Sequence, residues 1–355
     1  MTQSAISSNV NSTSVLGFRG TEDLGGGTTA NFHLLSELSL PQGQVGSSTS
    51  GDASPGGQKT NFFTRAATVG LADSTYGSFD IGRIQDAVWL TQGAFNNTGS
   101  NSFGWGAYTA TQTNFGDLAA RGFGSAPTAT TYSGTTTTAA GAGGTANNAE
   151  GGSAPVNFNA GWSYSTPVIA GFKGTYQHVG RQFQATTSPA GGSGDAYRIE
   201  YTNGPLNVQY AQTSRQDATD NFGAKWKVIG ATYQLGAAKL VAAQSKMTTA
   251  NGFANINGNT INGFGVIYDV NAKVDVGAGY TTIKNDQSTT AVDSSVIGLT
   301  ARYKFSKRTQ VYAGYGHETN NGTSNKMTMF YGGPSGTTAG GVSSTGYLVG
   351  IRHGF

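Results

Sequence analysis

The chain lacks cysteine, so neither a disulfide framework nor a cysteine-based metal site is possible. Charged residues make up only 11% of its 355 residues, and the net charge of +3 includes no block of Lys or Arg, so we expect no nucleic-acid partner. No apolar run approaches the ~20 residues that a membrane-spanning helix needs. Membrane-spanning strands stay possible, because a strand in a barrel exposes only alternate residues to lipid.

Catalytic patterns are missing as well. The four histidines are scattered, and no pair of them has the spacing of a metal site. Serine is abundant, yet no Gly-x-Ser-x-Gly elbow lies in a strand-to-helix turn, and the glycine-rich runs lack the following helix and Lys of a phosphate loop. We therefore predict no enzymatic activity, no metal and no cofactor.

Glycine, with 55 residues, is accompanied by many Thr, Ser and Asn, a composition rich in strand and turn formers. The clearest pattern is at the C-terminus, where Tyr347, Val349, Ile351 and Phe355 alternate with residues that are mostly small or polar. Successive side chains of a strand point to opposite faces, so this segment has one apolar face. The same alternation occurs in 197–201, 206–210, 229–235 and 297–305.

Connections between these segments alternate between short and long, which is typical of an outer-membrane barrel with its short turns at the periplasmic end. About fifteen strands fit between them, each near the ~9–11 residues of a tilted membrane strand. Strand number in bacterial barrels is even. One strand is therefore predicted to be absent at the start of the chain, where residues 1–11 show little alternation. The whole chain, 1–355, is predicted to be a single all-β transmembrane barrel domain.

One connection, residues 84–154, is far longer than ordinary loops, which indicates a functional or disordered segment. Its first part is rich in aromatic residues and has enough apolar mass to pack against something. Its second part, residues 128–152, is low-complexity Thr, Ala and Gly.

Several segments resemble the trimeric general porins of β-proteobacteria, the group that includes Neisseria, Bordetella and Delftia porins. Leu16–Gly27 is similar to the second strand and first turn of that family, and Arg65–Leu71 with Tyr76–Arg83 is similar to its next hairpin. The hairpin after the long loop is matched by Tyr164–Phe172. The last hairpin and terminus are matched by Ser306–Tyr312 and Gly350–Phe355.

The resemblance implies a 16-strand barrel, a homotrimer and a third loop folded into the lumen as the constriction. It also implies that Phe355 is the signal for the barrel-assembly machinery, and that the partners are outer-membrane lipid and lipopolysaccharide. The family begins with one more strand upstream of Leu16. Without that strand the barrel would have an open edge, so we expect either a shortened sequence or a barrel closed by residues 1–11.

Anion-selective members of the family carry wall arginines opposite the third loop, at places that correspond here to Val15, Ala66 and Asn157. Arg65 is adjacent, but alternation places it on the lipid side with Val69 and Leu71 unless a bulge intervenes. The resemblance thus implies a weakly selective channel that slightly favours anions.

Charges that fall opposite their apolar neighbours are predicted to line the pore, and they are Arg19, His33, Glu37, Asp80, Arg198, Glu200, Arg302 and Arg352. In a narrow lumen a few charges bias ion passage. The alternative is that they pair with one another along the wall, as Arg198 and Glu200 could. In the third loop, Asp86, Asp117 and Arg121 are predicted to contribute to the constriction, the alternative being solvated charges on an exterior loop.

The predicted function is passive diffusion of ions and small hydrophilic solutes across the bacterial outer membrane. A substrate-specific channel would instead show a saturable effect of its solute on conductance. A surface adhesin or structural β-protein would need a sequence repeat and loops of equal length. A barrel enzyme would need a membrane-facing Ser/His pair.

Overall fold

The computed structural model describes residues 4, 6–45, 62–106, 131–132, 135–136, 157–180, 193–216, 222–249, 259–285, 293–321 and 341–355. The first half of the chain contains β1 (Val15–Gly25), β2 (Thr28–Ser39), a 3-10 turn (Leu40–Gln42), β3 (Gln44–Val45), β4 (Ala66–Asp73), β5 (Gly77–Gln85), α1 (Ala87–Ala94), β6 (Thr131–Tyr132), β7 (Thr135–Thr136) and β8 (Asn157–Ser165). The second half contains β9 (Phe172–Val179), β10 (Gly194–Asn203), β11 (Leu206–Gln216), β12 (Phe222–Leu235), β13 (Ala238–Thr249), β14 (Asn259–Asp269), β15 (Val274–Asn285), β16 (Ser294–Lys304), β17 (Thr309–Asn320) and β18 (Ser344–His353).

One antiparallel sheet contains all the long strands, which neighbour one another in chain order from β1 to β18. Fifteen strands follow this path, and the two-residue strand β3 pairs with β2 outside it, while β6 and β7 form a separate small sheet. The prediction of about fifteen barrel strands is confirmed. Short turns join β4 to β5, β10 to β11 and β12 to β13 at one end, and the longer connections lie at the other.

The two ends of the path, β1 and β18, are not paired with each other within the described ranges. Residues 6–14 form no strand. Instead Asn9 donates a hydrogen bond to Glu37 at 2.8 Å, and Asn101 donates one to the carbonyl of Asn11 at 3.1 Å. The described part of this N-terminal segment therefore contacts β2 and the third loop, and does not close the barrel.

The outer face of the sheet is apolar and exposed, as lipid contact requires. Along β4, β10 and β16 the exposed side chains are Val69, Leu71, Tyr197, Ile199, Ile297 and Leu299. Residues directly opposite in an antiparallel ladder share a face, so the pairing register extends this outer face from strand to strand. The buried apolar cluster lies on the inner face, where the third loop packs against the wall.

The long connection between β5 and β8, which corresponds to the third loop of the family, contains a helix, α1, that the strand pattern did not predict. It also begins after Gln85, two residues later than predicted, because β5 continues through Gln85 and pairs with β8. Within the described ranges, no helix is long and apolar enough to cross a membrane.

Candidate pore constriction

The inner face carries all eight predicted wall charges. Arg19 pairs in register with His33, which pairs with Thr68, and Asp275 pairs with Arg302, which pairs with Tyr312. Arg198 and Glu200 lie opposite Ala211 and Gln209, and Arg352 lies opposite Gln310. Each of these positions alternates with the exposed apolar residues of its own strand, which places the charges on the side of the third loop.

Helix α1 begins at a buried acid. The Asp86 carboxylate caps the helix by accepting hydrogen bonds from the backbone of Val88 at 2.7 Å and Trp89 at 3.2 Å, and it also accepts one from the Thr213 hydroxyl at 2.7 Å. Burial raises the pKa of Asp86 to about 6, against the opposing effect of these hydrogen bonds and of the nearby Arg215. Asp86 therefore joins the loop to β11, and its carboxylate is not exposed to lumen water.

Beyond the helix, the loop lies on glycines of the wall. A Cβ at Gly230 would lie 2.6 Å from the Phe95 ring, one at Gly263 would lie 2.8 Å from Trp105, and one at Gly298 would lie 2.7 Å from Phe103. We call these positions the glycine seat, and its members are Gly230, Gly263, Gly265, Gly277, Gly279, Gly298, Gly314 and Gly316. A side chain at any of these positions would occupy the volume that the loop fills. The glycines therefore allow the loop to lie close against the backbone of the wall strands.

Polar contacts hold the loop on this seat. The Asn97 amide donates to the carbonyls of Phe264 at 3.0 Å and Tyr280 at 3.2 Å, and to the Thr281 hydroxyl at 2.9 Å. The Thr300 hydroxyl donates to the Thr98 carbonyl at 2.7 Å. Consecutive loop residues are thus bonded to β14, β15 and β16, which holds this part of the loop against the inner face of three neighbouring strands.

Aromatic residues fill the space between loop and wall. Phe95, Phe103 and Trp105 are fully buried, and they pack in one cluster with Trp226 of β12. The indole of Trp105 donates to the Gln92 carbonyl at 2.9 Å. The aromatic first part of the loop was predicted to pack against something, and its partner is the inner wall.

Several wall charges neutralise one another. Arg198 pairs with Glu200 at 2.8 Å, and Glu37 pairs with Arg65 at 2.6 Å. Asp275 is 2% exposed, accepts from Arg302 and lies 2.8 Å from the Lys304 amine. Each pair places opposite charges side by side, so its field along the pore is small.

Arg65 lies on the inner side, contrary to the prediction that it faces lipid. It precedes the first residue of β4, so the alternation of that strand does not govern it. Its guanidinium contacts Glu37 and lies 5.7 Å from the centre of the Trp89 ring on α1. Ala66 stands where anion-selective members have a wall arginine, so this place was expected to have no positive charge. Arg65 brings a positive charge close to it.

The charges that stay outside such pairs are mainly basic. Arg19, Lys173 and Arg352 form no ion pair with another described residue, and neither does Asp80, which lies near His33 and Lys173. The predicted loop charges Asp117 and Arg121 lie outside the described residues.

Arg302 joins the loop to the wall, which the sequence pattern did not indicate. Its guanidinium donates to the Gly99 carbonyl of the loop and to Asp275 of β15.

We expect Arg302→Gln to loosen the loop, giving a higher mean conductance and more open-channel current noise in single-channel recordings. Arg352→Gln removes the same charge from a wall position without a described ion pair. Equal current noise in the two variants would contradict a role for Arg302 in holding the loop.

Asn97, Thr213, Arg215 and Asp275 also belong to the site, and sequence reasoning did not single them out. Arg215 is 7% exposed, with its guanidinium 4.5 Å from the centre of the Phe158 ring. The period-two pattern places Arg215 and Asp275 on the inner face, so this signal could have found the two charges. No local signal marks Asn97, whose partners lie far along the chain.

A family model for Gram-negative porins matches residues 2–323 of the chain. The chain belongs to the Gram-negative porins. It is 28% identical over 353 residues to outer membrane porin protein 32 of Delftia acidovorans, a match that covers 97% of this chain and 85% of the relative.

Solved structures agree on the fold of this porin. An anion-selective porin from Comamonas acidovorans superposes with a TM-score of 0.69 at 23% identity, covering 98% of this chain and 90% of the other. OmpT of Vibrio cholerae in its trimer form gives a TM-score of 0.50 at 13% identity, covering 96% and 91%. Porins are outer-membrane channels, so the chain is an outer-membrane protein and not an enzyme.

Proposed function

We propose that this porin is a general diffusion channel for ions and small hydrophilic solutes, with a modest preference for anions. The observation that carries the preference is the charge left on the inner face after pairing. The inner-face strand charges without a described ion pair include the bases Arg19, Lys173, Lys239 and Arg352 and the acids Asp23 and Asp80, so four of these six are basic. The relative from Comamonas acidovorans, described as anion-selective, supports the same sign.

The mechanism is passage down a gradient through a lumen that the seated loop narrows. Because the loop is bonded to three consecutive strands, it sets a fixed size limit. Because the charge pairs cancel locally, the unpaired basic groups determine the field that an ion meets. Their small number accounts for a modest preference.

Reversal potential across a planar bilayer in a salt gradient tests this proposal. We expect stable conductance steps and a potential whose sign indicates anion flow. A saturable decrease of conductance with one solute would favour a substrate-specific channel. No conductance from correctly inserted protein would overturn the proposal.

The unpaired wall charges are expected to determine the anion-to-cation permeability ratio. In the double variant R19Q/R352Q we expect the anion-to-cation permeability ratio to fall roughly twofold, since the basic field is reduced. In D80N we expect the ratio to rise, because an opposing charge is removed. The paired variant R198Q/E200Q is the control and should leave the ratio unchanged. A ratio that changes more in the control than in R19Q/R352Q would contradict this assignment.

The proposed assembly is a homotrimer in contact with outer-membrane lipid and lipopolysaccharide. The trimer form of the Vibrio cholerae relative supports the oligomeric state. We also propose that Phe355 is the residue that the barrel-assembly machinery recognises. It follows β18 at one end of the strand order and is fully exposed, so a partner can reach it.

A further inference from the structure

Lysines form a row on the outer face of the wall, apart from the pore. Lys227 of β12 lies directly opposite Lys246 of β13, and Lys246 and Lys284 lie opposite the same residue, Thr260 of β14, from its two sides. All three lysines are exposed. They alternate with buried residues of the inner face, such as Trp226, Met247 and Ile283, so their amines point away from the lumen.

The row lies at the end of the strands where the long connections are. Toward the other end, the next outer-face positions are Gln244 and Asn262, whose amides are hydrogen-bonded at 2.8 Å, followed by an apolar band. Exposed members of that band are Ile229, Phe264, Tyr280 and Leu240. Lys227 therefore stands two residues beyond Ile229, and Thr260, in register with the other two lysines, stands four residues beyond Phe264, so the row lies just past the exposed apolar band.

No ion pair within the described part of the sheet neutralises this row. Like charges directly opposite in a ladder are destabilising, yet Lys227 and Lys246 are placed so. Asp195 of β10 is an acid on the same face, two strands away from Lys225 of β12. Its carboxylate is already hydrogen-bonded to Tyr176 and His178. Asp293 directly precedes Ser294, which pairs with Ile283 of β15. Asp293 therefore lies beside Lys284, but the two side chains form no ion pair.

We propose that Lys227, Lys246 and Lys284 bind the phosphate groups of lipid A, the membrane anchor of lipopolysaccharide, in the outer leaflet. The arrangement calls for an anionic ligand with acyl chains, because amines and an apolar band adjoin on one surface. Lipid A has phosphates at the headgroup level and chains that cover the band. Basic residues at a membrane surface each strengthen binding to anionic lipid. A protein neighbour is disfavoured, since interface cores are depleted of charge.

This inference rests on the lipid contact proposed above, and it places that contact on three strands. It is independent of ion flow, because the lysines lie outside the lumen.

Binding of purified lipid A to the full-length porin in detergent, followed by native mass spectrometry, tests the proposal. We expect K227Q/K246Q/K284Q to bind about tenfold to a hundredfold more weakly than the wild type. K273Q/K307Q/R308Q removes as many positive charges from exposed turns at the other end, and it should bind normally. K227R/K246R/K284R should keep the affinity, which shows that charge at these positions is sufficient.

Lipid A without its phosphates should bind the wild type weakly, with the affinity that phosphorylated lipid A has for the glutamine variant. Inorganic phosphate should not compete with lipid A for the wild type. Competition by inorganic phosphate would overturn the lipid in favour of a simple anion site. Equal lipid A affinity of wild type and glutamine variant would overturn the proposal outright. The reversal potential of the glutamine variant should equal that of the wild type. A change in the potential alone would show that the lysines act on ion flow.

Discussion

Replacing Gly265 and Gly277 with alanine is expected to displace the third loop from the wall and to raise single-channel conductance roughly twofold. A Cβ at either position would overlap a loop carbonyl, that of Asn97 or Thr98. These contacts are with backbone, so the loop must move as a unit. Overpacking costs about 1–3 kcal/mol per site, so a lower melting temperature should accompany the change.

Gly174→Ala is the matched control for the glycine seat. This residue is also a strand glycine, but an added Cβ would meet only Thr166, at 3.7 Å, an ordinary contact. The control should keep the wild-type conductance and melting temperature. If the double variant did so too, the seat would have no part in placing the constriction.

Asp86→Asn is expected to alter the pH dependence of stability. The folded pKa of Asp86, about 6, exceeds its ordinary value of 3.8. The folded protein therefore binds a proton more tightly than the unfolded chain does. This contribution to stability is fully present below about pH 4 and is lost as the pH rises through 6. At about 1.4 kcal/mol per pKa unit, the loss amounts to roughly 3 kcal/mol at neutral pH.

Asparagine caps a helix as well as aspartate does, and its amide can donate to the Thr213 hydroxyl. We therefore expect D86N to melt at a higher temperature than the wild type at pH 7.5 and at the same temperature near pH 4. D86A has no charge but also no cap, so it should be about 1–2 kcal/mol less stable than D86N at both pH values. Parallel melting curves of wild type and D86N across this range would contradict the buried-acid assignment.

The barrel was predictable because its rules are local. Alternation along each strand and the alternating connection lengths are visible in short windows, and both follow from strand geometry. The inner-face positions of Arg198 and Glu200 followed from the same period, and so did the possibility that the two form a pair. Arg65 broke the rule because it precedes the first residue of β4, although its backbone N–H still donates to the Leu35 carbonyl.

The constriction was less predictable because the residues that form it are far from one another in the sequence. The high glycine content was evident, but the role of Gly265 depends on Asn97, and that contact requires the loop and the wall in register. The sequence predicts that Asp86 contributes to the constriction, but only the positions of Val88 and Thr213 show that its carboxylate is buried as a helix cap. Helix α1 is eight residues long within a strand-rich chain, so its period has too few turns to stand out.

The seat also constrains the order of events during biogenesis. Asn97 contacts Phe264 and Tyr280, 167 and 183 residues further along the chain, and Arg302 reaches Gly99 across 203 residues. Such contacts have a high contact order and form only after the intervening chain has been placed. The loop cannot dock before the C-terminal strands exist to receive it. The constriction is therefore completed only after β14, β15 and β16 are in place, late in the formation of the barrel.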